Sequence, residues 1–140
     1  MSFDSDKEKK VSRQEQFDFL QSLADTMPES VMITSTEDFT KTTEIVYVNN
    51  NFTKLTGYQA SEVIGETPKI LQGEKTDPKV LQQLRDYLRD RRHFHGRAIN
   101  YRKNGEPFIM DWDIVPFHLS DGTRSFYLTV QREITEKVPS

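Results

Sequence analysis

The chain has 140 residues, 34% of them hydrophobic, with a formal net charge of -3 and no cysteine, a size and balance that suit one domain with a single core. The charge carries no global signature of a nucleic-acid or membrane protein, and no window approaches a membrane span. The missing cysteine excludes disulfides, thiolate metal sites and cysteine chemistry, and the N-terminus lacks the apolar core of a secretory signal, so a cytoplasmic location is expected.

Residues 1 to about 11 are charged and mixed in sign and are expected to be mobile. Ser12-Arg-Gln-Glu15 then fits a capping box, and behind it Phe17, Leu20, Leu23, Ala24 and Met27 recur at helical spacing. That stripe must be buried, either as a lid on the domain's own sheet or as a dimer contact. Pro28 ends the helix. Val31–Thr34 and Ile45–Val48 read as two short strands joined by a Thr-rich loop. Two short helical pieces follow, carrying Phe52 and Leu55, then Val63 and Ile64, with Gly57-Tyr58 between them.

The organising stretch comes next: Gly65-Glu-Thr-Pro-Lys-Ile-Leu-Gln-Gly73, a glycine-bounded apolar segment placed where a half-barrel needs its ligand-side wall. Asp77-Pro78 opens the longest helix, with an N-cap followed by a proline at the first helical position. Its stripe is Val80, Leu81, Leu84, Tyr87 and Leu88. The last third is an antiparallel meander of three strands over about 94–102, 107–117 and 124–133, with turns at Asn104-Gly105 and Asp121-Gly122. Alternation puts Phe108, Met110, Trp112 and Ile114 on one face of the middle strand and Ile109, Asp111, Asp113 and Val115 on the other. On the last strand Tyr127, Thr129 and Gln131 oppose Phe126, Leu128 and Val130. Both faces are apolar, so the sheet needs a cover on each, and the N-terminal helix or a second subunit would supply the outer one.

This order of elements, with Ile45-Val-Tyr-Val-Asn-Asn-Asn-Phe-Thr-Lys-Leu-Thr-Gly-Tyr58, Glu62-Val-Ile-Gly65, Ile70-Leu-Gln-Gly73, Asn100-Tyr-Arg-Lys-Asn-Gly105 and Val130-Gln-Arg-Glu-Ile-Thr135, resembles a PAS domain over about residues 28–135. The branch it is most similar to is LOV, the flavin-binding blue-light sensors. The resemblance implies an α+β PAS fold: a five-stranded antiparallel sheet with helices on one face and an N-terminal helical cap. It divides the chain into a mobile N-terminus and cap helix (1–27), the domain (28–135) and a short tail (136–140).

Photochemical LOV domains carry Gly-x-Asn-Cys-Arg-Phe-Leu-Gln at the organising stretch, where the cysteine attacks the excited flavin. Here Thr67 replaces the asparagine, Pro68 the cysteine and Lys69 the arginine. Proline offers no nucleophile, so cysteinyl-flavin adduct chemistry is ruled out for this sequence. Thr34, Gln72, Arg85, Asn100 and Gln131 match flavin-lining positions of the family, Arg85 on the phosphate side. Met110 stands in place of a ring-facing asparagine, whose hydrogen bonds a thioether cannot replace. Thr129 replaces a glycine beside the ring, and Trp112 is bulkier than the family's usual residue. These departures favour weak, altered or absent binding of FMN or FAD.

Each of these residues also has a plain structural reading. Gln131 is either a ligand-reading switch or a polar side chain satisfied by Asn100. Met110 and Trp112 shape a pocket or are simply core, and Lys69 and Arg85 hold a phosphate or are surface charges. Residues 74–105 carry nine Lys or Arg against four Asp or Glu, which is a docking patch for an acidic partner or a solvated helix face. His93 and His95 share a strand face, but no third ligand of suitable spacing is visible, so no metal is expected. Asp111 and Asp113, two apart on the strand and facing away from the presumed pocket, are either a carboxylate pair or charges that keep the outer sheet face from over-associating. No catalytic constellation emerges, and an enzyme is not expected.

The favoured function is a signalling or adaptor module acting as a homodimer, or on a separate effector protein, through the N-terminal helix and the outer sheet face (Ile99, Tyr101, Ile109, Val115, Phe126, Leu128, Val130). The alternative is a cysteine-less flavoprotein that senses light or redox state through Gln131. The end, Gln131-Arg-Glu-Ile-Thr135, resembles the junction from which PAS domains feed an effector.

Overall fold

Ser12 opens the first helix as its sequence suggests. In the computed structural model, which describes residues 11–36, 43–119 and 124–139, its hydroxyl accepts a hydrogen bond from the Glu15 backbone N–H at 3.1 Å. The Glu15 carboxylate accepts from the same hydroxyl at 3.3 Å. Helix α1 runs Arg13–Thr26, and Met27 leaves it with ψ 138 just ahead of Pro28, as the steric demand of a following proline requires. The expectations for residues 1–10, the Thr-rich loop at 37–42, the Asp121-Gly122 turn and Ser140 lie outside the described residues.

Strands β1 (Ser30–Thr36) and β2 (Glu44–Val48) form an antiparallel pair with an irregularity between Ile33 and Thr34. Asn49 caps α2 (Asn50–Thr56), accepting from Phe52 N–H at 3.0 Å. That helix stops at Gly57, whose φ of 82 is the left-handed cap that glycine adopts without strain. After α3 (Ala60–Val63), the organising stretch becomes a single 3₁₀ turn, Pro68–Leu71. Asp77 accepts from Lys79 N–H at 2.9 Å and starts α4 (Pro78–Arg89). Strands β3 (Phe94–Tyr101), β4 (Pro107–Phe117) and β5 (Ser125–Ile134) complete the chain.

The sheet order is β2-β1-β5-β4-β3, and every pairing is antiparallel. The last strand therefore lies at the centre, between β1 and β4. One face carries the core, in which Met32, Phe94, Phe108, Met110, Trp112, Ile114 and Tyr127 pack with Phe52, Val63 and Leu71 from the helical segments. No α4 residue is fully buried; Val80, Leu84, Tyr87 and Leu88 pack half-buried against that core, so α4 is a loosely seated wall.

The other face is covered in part by α1. Phe17 lies against Phe126 with ring centroids 6.0 Å apart, and Phe126 stacks on Phe117 at 5.3 Å. Of the expected α1 stripe only Ala24 is fully buried, and Leu23 is 52% exposed. The helix meets the sheet along a narrower line than a five-residue stripe predicts. Among the described residues no helix is long and apolar enough to cross a membrane.

Candidate functional site

A cavity of about 70 Å³ lies between the inner sheet face, the 3₁₀ turn and α4. Its apolar wall includes Leu71, Leu81, Leu84, Leu88 and Trp112, and its polar wall includes Thr34, Gln72, Asn100, Thr129 and Gln131. Strand alternation explains the polar cluster. Cross-strand register places Gln131 beside Ser30 on β1 and Trp112 on β4, with Thr129 beside Met32 and Ile114, so the even spacing along β5 aims Tyr127, Thr129 and Gln131 to one side.

Gln131 is the residue of note. It is 2% exposed, and its Oε1 accepts from Ser30 Oγ at 2.8 Å. Its Nε2 amide has no hydrogen-bond partner among the described residues. Reversing the amide would give Nε2 the Ser30 oxygen and leave the carbonyl in its place, so one polar atom stays unpaired either way. A buried amide group without a partner costs about 1–3 kcal/mol, and a bound acceptor or donor would recover that. Asn100, the neighbour that sequence reading offered as Gln131's partner, instead donates through Nδ2 to the Met110 sulfur at 3.3 Å. The thioether thus takes up, weakly, the amide it faces.

The ten positions read as pocket residues separate into two groups. Thr34, Gln72, Asn100, Trp112, Thr129 and Gln131 line the cavity, and Met110 lies fully buried behind Asn100. Thr67 instead caps the 3₁₀ turn, accepting from Lys69 N–H at 3.3 Å. The Lys69 side chain is exposed. Arg85 is exposed on α4 and donates to Gln82 Oε1 at 3.0 Å. Pro68 lines the cavity where the turn begins. Sequence reading missed the α4 leucines as cavity residues, although their helical stripe was visible, because a stripe does not say what it faces.

Gly73, at the end of the organising stretch, lets the Tyr101 ring lie against its backbone. A Cβ there would stand 2.4 Å from the Tyr101 ring, and the Tyr101 hydroxyl accepts from Lys75 N–H at 2.9 Å. Tyr101, expected on the free outer face, is thus drawn to the edge loop. Tyr127, which also lines the cavity, donates to the Leu88 carbonyl at 3.4 Å, tying the central strand to α4.

A flavin fits this arrangement only in part. The unpaired Gln131 amide and Asn100 offer a polar edge, but ligand pockets span about 300–1,000 Å³, and this cavity is about 70 Å³. Lys69 and Arg85 lie outside it. The residues as arranged do not enclose an isoalloxazine ring, and no chemistry through one follows from them.

The sequence profile of the PAS domain family matches residues 28–136. "Blue-light-activated histidine kinase 1" of Erythrobacter litoralis is 37% identical over 94 residues, 67% of this chain and 26% of that protein. "Protein TWIN LOV 1" of Arabidopsis thaliana is 36% identical over 103 residues, 73% of this chain and 26% of that protein. The chain thus spans about a quarter of the length of these relatives. Among solved structures, a light-oxygen-voltage domain studied with a flavin analogue superposes with a TM-score of 0.75 at 31% identity, covering 84% of this chain and 86% of that one. The LOV domain of the Erythrobacter litoralis EL346 blue-light-activated histidine kinase superposes with a TM-score of 0.69 at 30% identity, covering 79% of this chain and 99% of that one.

Proposed function

Because the chain belongs to the PAS domain family, as a sensory signalling module of the PAS/LOV kind, we propose that it signals by association through the outer sheet face and α1. The observation that supports this is the alternation of β5. Thr129 and Gln131 line the cavity, while Leu128 and Val130 on the same central strand stay only partly covered on the outer face. A change in what the cavity holds acts on the strand that carries the association surface. Phe19, 68% exposed, and Leu23, 52% exposed, stand four apart on α1, and Val115 is 43% exposed on β4; these are apolar side chains left open to a partner. With Pro68 at the adduct position and no cysteine in the chain, the module works without a cysteinyl-flavin adduct.

The test is oligomeric state by light scattering. The wild-type protein is expected to be a dimer and Leu128→Glu a folded monomer, since a buried unpaired carboxylate opposes association by several kcal/mol. A monomeric wild type, or a dimer untouched by the substitution, overturns the reading.

A second reading, a cysteine-less flavoprotein, is favoured by the unpaired Gln131 amide and by the LOV domains to which the chain is similar. Absorption spectra of the protein after incubation with FMN or FAD, and removal of free flavin, decide it. A structured flavin band in the blue that is lost in Gln131→Leu would support it. A colourless protein sinks it and leaves the cavity to a smaller ligand, on the order of a few water molecules in size.

A further inference from the structure

Two pairs of side chains meet on the outer face of β3 and β4. His95 on β3 and His93 just before that strand lie against Asp111 and Asp113 of β4. Register sets His95 opposite Asp113 and Arg97 opposite Asp111. His95 Nε2 stands 2.9 Å from Asp111 Oδ1, and His93 Nε2 stands 3.3 Å from Asp113 Oδ1. Ligand atoms of His95, Asp111 and Asp113 all lie within 4.8 Å of one another. Donors bound to one ion at about 2.0–2.2 Å stand about 3–3.6 Å apart, so only small side-chain shifts separate this cluster from a coordination sphere.

The surroundings resemble those of a ligating carboxylate. Asp111 has a side chain only 7% exposed, and Arg97 Nε donates to its Oδ2 at 2.8 Å, fixing the group and turning Oδ1 toward His95. The cation position is taken by Arg132. Its guanidinium lies 3.2 Å from Asp113 Oδ2 and 3.6 Å from Asp111 Oδ1, on a side chain 46% exposed and thus able to swing into solvent.

We propose that His95, Asp111 and Asp113 form a site for a divalent transition-metal ion of the zinc class, with the Arg132 guanidinium holding the carboxylates when no ion is bound. Imidazole nitrogen together with carboxylate oxygen selects zinc, cobalt or nickel over magnesium and calcium, which take oxygen sets. Exchange of Arg132 for the ion replaces one positive charge by two between the same carboxylates. The ion would cross-link β3 to β4 on the face opposite the cavity, beside Val130 of the proposed association surface.

The test uses the full chain, stripped with chelator, titrated calorimetrically with zinc chloride, and with cobalt chloride for its visible absorption. The expected result is one ion per chain, a thermal midpoint that climbs with the logarithm of ion concentration, and an affinity at least about tenfold lower in His95→Gln and in Asp113→Asn. Arg132→Gln binds more tightly, because the competing cation is gone. His118→Gln, which removes the histidine beside Arg91, leaves binding unchanged. Near-ultraviolet circular dichroism establishes that each variant is folded; an unfolded Asp113→Asn leaves the exposed His95 variant to decide. No saturable binding below about 1 mM, affinity untouched in folded His95→Gln, or an equal loss in His118→Gln overturns the proposal.

Discussion

Tyr127 shows how burial on the central strand tunes one side chain. Burial pushes its phenol up to about 12 from 10.0, against a weaker opposing effect of the Arg91 charge. Between those values the folded protein keeps a proton that the unfolded chain has released, so this contribution to stability is complete below about pH 10 and falls as pH rises toward about 12. Tyr127→Phe has no proton to lose. Urea unfolding at about pH 9 and about pH 11 should find that the variant gains on the wild type at the higher pH; equal losses would mean that the phenol ionises as freely folded as unfolded. Asp111 runs the other way: burial raises its pKa, but hydrogen bonds and charge from Arg97 and His95 outweigh that and lower it. The stability it lends is present above the ordinary carboxylate range and is lost as pH falls through its folded value.

At the scale of elements, Asn49 joins three of them. Its Oδ1 accepts from Phe52 N–H at 3.0 Å, capping α2, and from Val31 N–H at 2.9 Å on β1. Its Nδ2 donates to the Ala24 carbonyl at 3.0 Å near the end of α1 and to the Glu29 carbonyl at 2.9 Å. Asn49→Ala loses the cap, worth about 1 kcal/mol, and strands buried groups at about 1–3 kcal/mol more. A loss of about 2–4 kcal/mol in chemical denaturation is expected, with the C-terminal end of α1 loosened. A loss below about 1 kcal/mol would show that water satisfies these groups without rearrangement. The same end of α1 is held by Asn51 Nδ2 on the Met27 carbonyl at 2.9 Å and by Tyr47 on Asp25, whereas its first turns have Phe17 against Phe126 as their ring contact.

Across the molecule this predicts a gradient of local stability. Strand β5, flanked on both sides, should hold the slowest-exchanging amides, around Phe126 to Val130, while the first turns of α1 exchange fastest among the described helices. Hydrogen exchange read by mass spectrometry checks this. In the monomeric Leu128→Glu variant, protection of residues 13–19 equal to that of β5 would mean that α1 is buried more deeply than its 68% exposed Phe19 implies; in the wild type, added protection there is what the proposed dimer through α1 gives. The loosely seated α4 should exchange between these extremes, which suits a wall that adjusts to the content of a cavity.

The sequence by itself determined the elements and their faces. Caps at Ser12 and Asp77, the proline stops and the period-two alternation of β4 and β5 act between near neighbours, so their outcome is written locally. The PAS resemblance supplied the topology that those signals lack. What only the tertiary structure decided are the relations across the chain. Nothing local says that Gln131 would meet Ser30 and leave Nε2 unpaired, that Asn100 would turn to Met110, or that Arg85 would point away from the cavity. His95 has no further candidate ligand along its own strand; register sets Asp111 and Asp113 of the neighbouring strand beside it. Register is fixed by burying one whole face of a strand at once, a property of the assembled core rather than of any short stretch.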